Sequence, residues 1–227
     1  MPGLRVGLHL VVIEGPATDP SAVPGLVNAS GQFSSDQFRL GLNYFARPAI
    51  RLQLRHEIRA QYAAFAAAGL RLDHANAHKH MHLHPTVGRM MIEVGREFGL
   101  PAIRVPAEPP AVMAALGVPQ GISARALYGW TRLLRRQARR AGLQTNDHAF
   151  GIAWSGHMTS VRLAALAPCL PAGLSEIYFH PATHRDARLT RLMPDYEHEA
   201  ELAALCDPMV RAALASAGAV LTGYGAG

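Results

Sequence analysis

Lysine, cysteine and long apolar runs are scarce in this chain, and each scarcity removes a class of function. Lys79 is the one lysine among 227 residues. The formal net charge of +6 therefore rests on 21 arginines against 16 acidic residues, a bias that does not by itself signify nucleic-acid binding. Aromatic residues make up 7% of the chain and are sparse around its most basic segment, which argues against a base-stacking surface. Two cysteines, Cys169 and Cys206, cannot build a disulfide framework, and their separation suits no metal clip. A reduced, cytoplasmic setting is expected. No stretch of about 18 uninterrupted apolar residues occurs, because Pro168 and Pro171 break the longest one, so no membrane span is expected. Gly-x-Gly-x-x-Gly, a phosphate-binding loop and a Gly-x-Ser-x-Gly elbow are also missing, which weakens nucleotide-binding and serine-hydrolase functions.

What remains suits one globular domain with a real core: 49% of the residues are hydrophobic and 17% charged. The apolar run Leu4–Ile13 predicts a buried strand. Gly7, His9 and Glu14 interrupt it, so it reads as mature structure and not as a secretory leader. Residues 14–35, rich in Gly, Pro, Ser, Asn and Asp, predict a long loop of the functional kind. Ile50, Leu54, Ile58, Tyr62 and Phe65 recur at helical spacing between Arg47 and a capping Gly69. A short strand over Leu70–Ala75 then runs into a histidine segment, and Pro85 opens a helix through Phe98. Further strands are expected at Ala102–Val105, His148–Ala153, Leu174–His180 and Ala219–Thr222. Further helices are expected at Ser123–Ala141 and 159–167, with one or two over Glu197–Ala217. Alternating strands and helices describe a parallel α/β fold, either a barrel or an open sheet, with ligands at the carboxyl ends of the strands.

Twelve histidines are the anomaly in the composition, and five of them fall in residues 74–84. If that segment is extended, His78, His80, His82 and His84 line one side. Imidazole at such density favours metal binding, although one catalytic ion takes about three protein ligands, so the four cannot all be ligands. His9, in an apolar strand, reads equally as a satisfied core histidine or as a ligand. His180, before Pro181, reads as a general acid or as a structural residue.

Three segments together carry a resemblance: Val6-Gly7-Leu8-His9-Leu10, Asn76-Ala77-His78-Lys79-His80-Met81-His82-Leu83-His84-Pro85, and Glu176 to Pro181. They resemble the YdjC/ChbG carbohydrate deacetylases. Asp73 to His80 and Ser155-Gly156-His157-Met158 look most like the hopanoid-biosynthesis branch, HpnK. The resemblance implies a (β/α) barrel-like fold and hydrolysis of an N-acetyl group from an amino sugar, assisted by one divalent metal ion, magnesium or zinc. It implies His9 and His78 as metal ligands and His180 as the acid. His80, His82, Glu14 and Arg104 are expected around the metal or against the substrate. The family's first strand ends in an Asp-Asp-Phe-Gly type motif that this chain does not match. The expectation is a chain that lacks the family's first strands, is inactive or nearly so as it stands, and self-associates through unpaired sheet edges.

Arg132, Arg135, Arg136, Arg139 and Arg140 follow helical spacing and form one basic face. Such a face reads as simply solvated, or as an interfacial helix on anionic lipid at the inner side of the membrane, which would suit a lipid-linked amino sugar.

Overall fold

The computed structural model describes residues 4–224. The chain order is β1 (Val6–Leu10), α1 (Gln37–Ala46), α2 (Pro48–Ala67), β2 (Leu72–Ala77), α3 (Pro85–Glu97), β3 (Ala102–Ile103), α4 (Pro110–Ala115) and α5 (Ile122–Arg140). It continues with β4 (Gln144–Thr145), β5 (His148–Phe150), α6 (Ser160–Leu166), β6 (Ser175–Ile177), α7 (Ala187–Leu192), α8 (His198–Cys206) and α9 (Pro208–Ser216). Every strand pairing is parallel, so the fold is mixed α/β with parallel sheets. The described residues form two compact units, one of residues 4–105, 130–145 and 223–224, the other of residues 106–129 and 146–222.

The first unit holds a four-stranded sheet in the order β1-β2-β3-β4. Parallel neighbours require a crossover, and α2 supplies the one between β1 and β2. Pro48 stands in the first turn of α2, where its missing N–H costs nothing, and Gly69 takes φ 68° just past its end. Leu54, Ile58 and Tyr62 are buried along α2, as are Val87, Met91 and Val94 along α3, and the two helices pack together. Arg55 bridges to Glu93 at 3.0 Å and to Glu97 at 3.1 Å on their exposed side. α1 was not signalled by apolar spacing; Asp36 caps it by accepting the Arg39 N–H at 2.9 Å, and Pro48 limits the chain at its end. The loop between β1 and α1 closes on a narrow neck. Phe33 N–H donates to Gly15 O at 2.8 Å and Ala17 N–H to Gly31 O at 3.0 Å.

In the second unit, β5 and β6 pair from His148↔Ser175 to Phe150↔Ile177. Its core is Met113, Phe150, Met158, Leu163, Leu166 and Val210. The strand expected over Leu174–His180 is shorter, Ser175–Ile177; Tyr178 N–H still donates to Phe150 O at 3.1 Å, and the His180 backbone then bonds to side chains of α8. The expected helical stretch 197–217 is two helices, parted where Pro208 cannot donate and Asp207 caps Met209 N–H at 2.8 Å. Ala219–Thr222 is not a strand: it has no ladder partner among the described residues, and Val220 and Leu221 are exposed.

Candidate functional site

The carboxyl ends of β1 and β2 bring two of the predicted ligands together. His9 lies opposite Asn76 in the ladder, and its Nδ1–H donates to the Asn76 Oδ1. An amide oxygen only accepts, so the bond fixes the tautomer and puts the imidazole lone pair on Nε2. β2 ends at Ala77, and His78 follows with its ring edge-on to His9, the centroids 5.7 Å apart. Burial holds His78 below the ordinary histidine range, with Glu14 pulling upward and Lys79 downward. Neutral imidazole is the form that binds a metal ion.

The extended run expected from His78 to His84 does not form. The ladder ends at Leu10↔Ala77, and the chain then turns through a 3₁₀ segment, His78–Leu83. Within it Lys79 (φ 49°) and His80 (φ 53°) are left-handed, so the alternation that would put four imidazoles on one face is lost. His78 stays beside His9. His82 turns into the core, fully buried, and its Nε2 donates to the Arg104 carbonyl at 3.0 Å. Burial first, then the neighbouring His80 and Arg104 charges, hold it well below the usual histidine range. The His80 ring lies 6.2 Å from that of His82. His84 departs toward α1, edge-on to Tyr44 at 6.4 Å.

Left-handed backbone at non-glycine residues occurs at three positions among the described residues: Glu14, Lys79 and His80. Each costs on the order of 1 kcal/mol or more, and such costs collect at functional sites. Here they meet. Lys79 Nζ donates to Glu14 Oε1, and Glu14 Oε2 lies 3.9 Å from His78 Nε2. The predicted residues His9, Glu14 and His78 therefore share one corner of the first unit. His80 and His82 adjoin it, and Arg104 enters through its carbonyl.

Two anchors behind this corner escaped the sequence reading. Gln61 meets both backbone groups of Val11, accepting from its N–H at 2.9 Å and donating to its carbonyl at 2.6 Å. Glu57, fully buried, accepts from Thr18 N–H at 3.1 Å, Thr18 Oγ1 at 2.9 Å and Gln61 Nε2 at 2.7 Å. The available signal was a polar pair at i, i+4 beside the apolar stripe Leu54, Ile58 and Tyr62.

In the second unit, His180 follows β6. Its N–H donates to Glu201 Oε2, its carbonyl accepts from His198 Nδ1 at 2.5 Å, and its ring meets Tyr178 and Tyr196. The loop after β5 is gathered by Glu108, whose carboxylate accepts N–H groups of Gly151, Ile152 and Ala153 at 2.9–3.0 Å.

The profile of the YdjC-like protein family matches residues 1–216. The chain belongs to that family. It is 34% identical over 105 residues to a carbohydrate deacetylase of Brevibacillus brevis, a match covering 46% of this chain and 39% of that one. With a carbohydrate deacetylase of Geobacillus stearothermophilus it is 28% identical over 225 residues, 98% of this chain and 76% of that one. With a mouse carbohydrate deacetylase it is 31% identical over 194 residues, 78% of this chain and 61% of the mouse protein. In fold the YdjC-like chain is similar to a crystal structure described as a cellobiose-phosphate cleavage protein from Enterococcus faecalis V583. The TM-score is 0.70 at 20% identity, over 98% of this chain and 77% of that one.

For a metal ion, this YdjC-like protein presents two imidazoles and an adjacent carboxylate. Among the described residues no group of three or more His, Cys, Asp or Glu is placed to hold one. His9, oriented by Asn76, and neutral His78 fit two positions of a nitrogen- and oxygen-ligated divalent site, with water or substrate oxygen suited to others.

Proposed function

We propose that this YdjC-like protein hydrolyses the N-acetyl group of an amino sugar with one divalent metal ion, magnesium or zinc, held by His9 and His78. The observation that carries the reading is the His9–His78 pair at the ends of adjacent parallel strands, in a chain similar to proteins named carbohydrate deacetylase. When bound, such an ion polarises an acetamide carbonyl and lowers the pKa of water toward about 7. Asn76 keeps the His9 lone pair on Nε2, and burial keeps His78 neutral. Glu14 is the carboxylate available to orient or deprotonate water. As water oxygen bonds to the acetyl carbon and the C–N bond breaks, the amine leaves with a proton from a general acid, a role for which His180 is the candidate on its strand-end position and imidazole chemistry. Arg104, His80 and His82 support the loop that carries His78. Acetate release from chitobiose-type and lipid-linked N-acetylglucosamine, with and without chelator, tests the assignment. Release that is indifferent to chelation and to His78→Ala sinks it.

The finer parts of the reading are a barrel-like arrangement of the strands, the hopanoid branch, and work at the inner face of the membrane. Arg132, Arg136, Arg139 and Arg140 are exposed on α5, with Trp130 and Leu133 half-exposed beside them, which supports contact with anionic lipid. No helix among the described residues is long and apolar enough to cross a membrane. Self-association draws on the exposed Phe38, Leu42 and Phe45 of α1. The alternative is a non-catalytic metal- or anion-binding relative of the family. Stoichiometric metal without acetate release would select it.

A further inference from the structure

Glu201 is fully buried in the second unit. A carboxylate out of water persists only where its oxygens are satisfied, and both are. Oε1 accepts the Met158 N–H at 3.0 Å, and Oε2 accepts the His180 N–H. Met158 belongs to the segment after β5, and His180 to the segment after β6, so one side chain of α8 ties together the exits of two neighbouring strands. Three residues earlier on the same helix, His198 is 3% exposed and donates from Nδ1 to the His180 carbonyl at 2.5 Å. Spacing of i, i+3 puts both on one face of α8.

We propose that Glu201 and His198 are positioning residues for His180: one helix face grips its backbone at both the N–H and the carbonyl and so sets the direction of its imidazole. A plain loop fastener needs only one such contact. Two contacts on opposite sides of the same α-carbon fix both flanking peptide planes, and with them the bond from which the ring projects. The ring is then bracketed by Tyr178, with centroids 5.8 Å away, and by Tyr196 at 5.0 Å. Tyr196 is itself held, its hydroxyl 2.9 Å from Ser155 Oγ and its ring over Gly156, where a Cβ would fall 2.3 Å from a ring carbon. Pre-setting a proton donor in this way removes the reorganisation that would otherwise slow transfer to a leaving amine. The inference rests on the reading of His180 as that donor.

Histidine-labelled NMR of the full chain, assigned with His180→Asn, reads the His180 titration in wild type and in Glu201→Gln, His198→Leu and His198→Asn. Asparagine keeps an N–H near the Nδ1 position and leucine does not. The His180 pKa is expected to move by roughly half a unit or more in Glu201→Gln and His198→Leu, and to return toward wild type in His198→Asn. On an N-acetylated sugar, kcat is expected to fall about tenfold with KM nearly unchanged. Hydrogen exchange in the wild type needs no variant, and the His180 amide is expected to exchange as slowly as those of α8. Exchange at an open-loop rate, or a His180 titration unmoved in folded Glu201→Gln and His198→Leu, overturns the proposal. A His180 that responds as expected in a wild-type protein releasing no acetate leaves the positioning intact and removes the deacetylase reading.

Discussion

Glu14 and Lys79 hold each other across the ends of two adjacent strands while both keep a left-handed backbone. The ion pair is half-exposed and contributes under about 1 kcal/mol by itself, so its effect is mainly on where His78 stands. Glu14→Gln is expected to lower the unfolding midpoint little and to weaken zinc binding several-fold. Titration calorimetry and urea unfolding, run side by side, separate the two effects.

Asn76 sets the tautomer of His9 without being a ligand itself. Asn76→Leu removes the acceptor and is expected to cost about 10–100-fold in metal affinity, the usual effect of losing an orienting partner. Asn76→Asp keeps an acceptor and should retain most of it. Equal affinity in all three proteins counts against His9 as a ligand.

His82 makes stability depend on pH. Its folded-state pKa lies well below the unfolded value, so above about pH 6.5 neither state binds the proton. Below that, the unfolded chain protonates and the folded one does not, so stability falls at up to about 1.4 kcal/mol per pH unit until the folded pKa is reached. His78 and His84, also held low by burial, add with the same sign. His82→Gln keeps a donor for the Arg104 carbonyl and removes the titration. Urea midpoints between pH 7.5 and pH 5 should therefore fall less steeply in the variant.

Glu57→Ala leaves the Thr18 N–H and hydroxyl without their acceptor and takes one of two acceptors from the Gln61 amide, which keeps the Val11 carbonyl. A loss of about 3 kcal/mol is expected, together with faster proteolysis within residues 14–35. A protease pattern identical to wild type would mean that the loop is held elsewhere.

The sequence displayed α2 and α3 well because each carries a continuous apolar stripe and a proline start, and Gly69 stood where a helix end needs positive φ. His9 and His78 were legible as strand-end histidines. The turn at His78–Leu83 was not, since nothing local announces left-handed Lys79 and His80. The turn is held by Glu14, which takes Lys79, and by the Arg104 carbonyl, which takes His82, contacts 65 and 22 residues away. For the same reason Glu57, Gln61, Glu201 and His198 passed as ordinary helix residues, because each has at least one backbone partner distant in sequence, whose position only the fold reveals. β3 falls within the strand expected at Ala102–Val105, whereas the two-residue β4 is too short to leave a periodicity.

The neck formed by Gly15, Ala17, Gly31 and Phe33 separates the long loop after β1 into a clamped base and an outer tip. Val23 and Leu26 of the tip are buried and Thr18 is held by Glu57, but residues 28–30 are exposed, and because closure entropy grows only with the logarithm of loop length, residues can be added there at a cost of about a few tenths of a kcal/mol. The fold thus has a place where chain length can change close to His9 and Glu14 while the strand ends that carry the imidazole pair stay where they are.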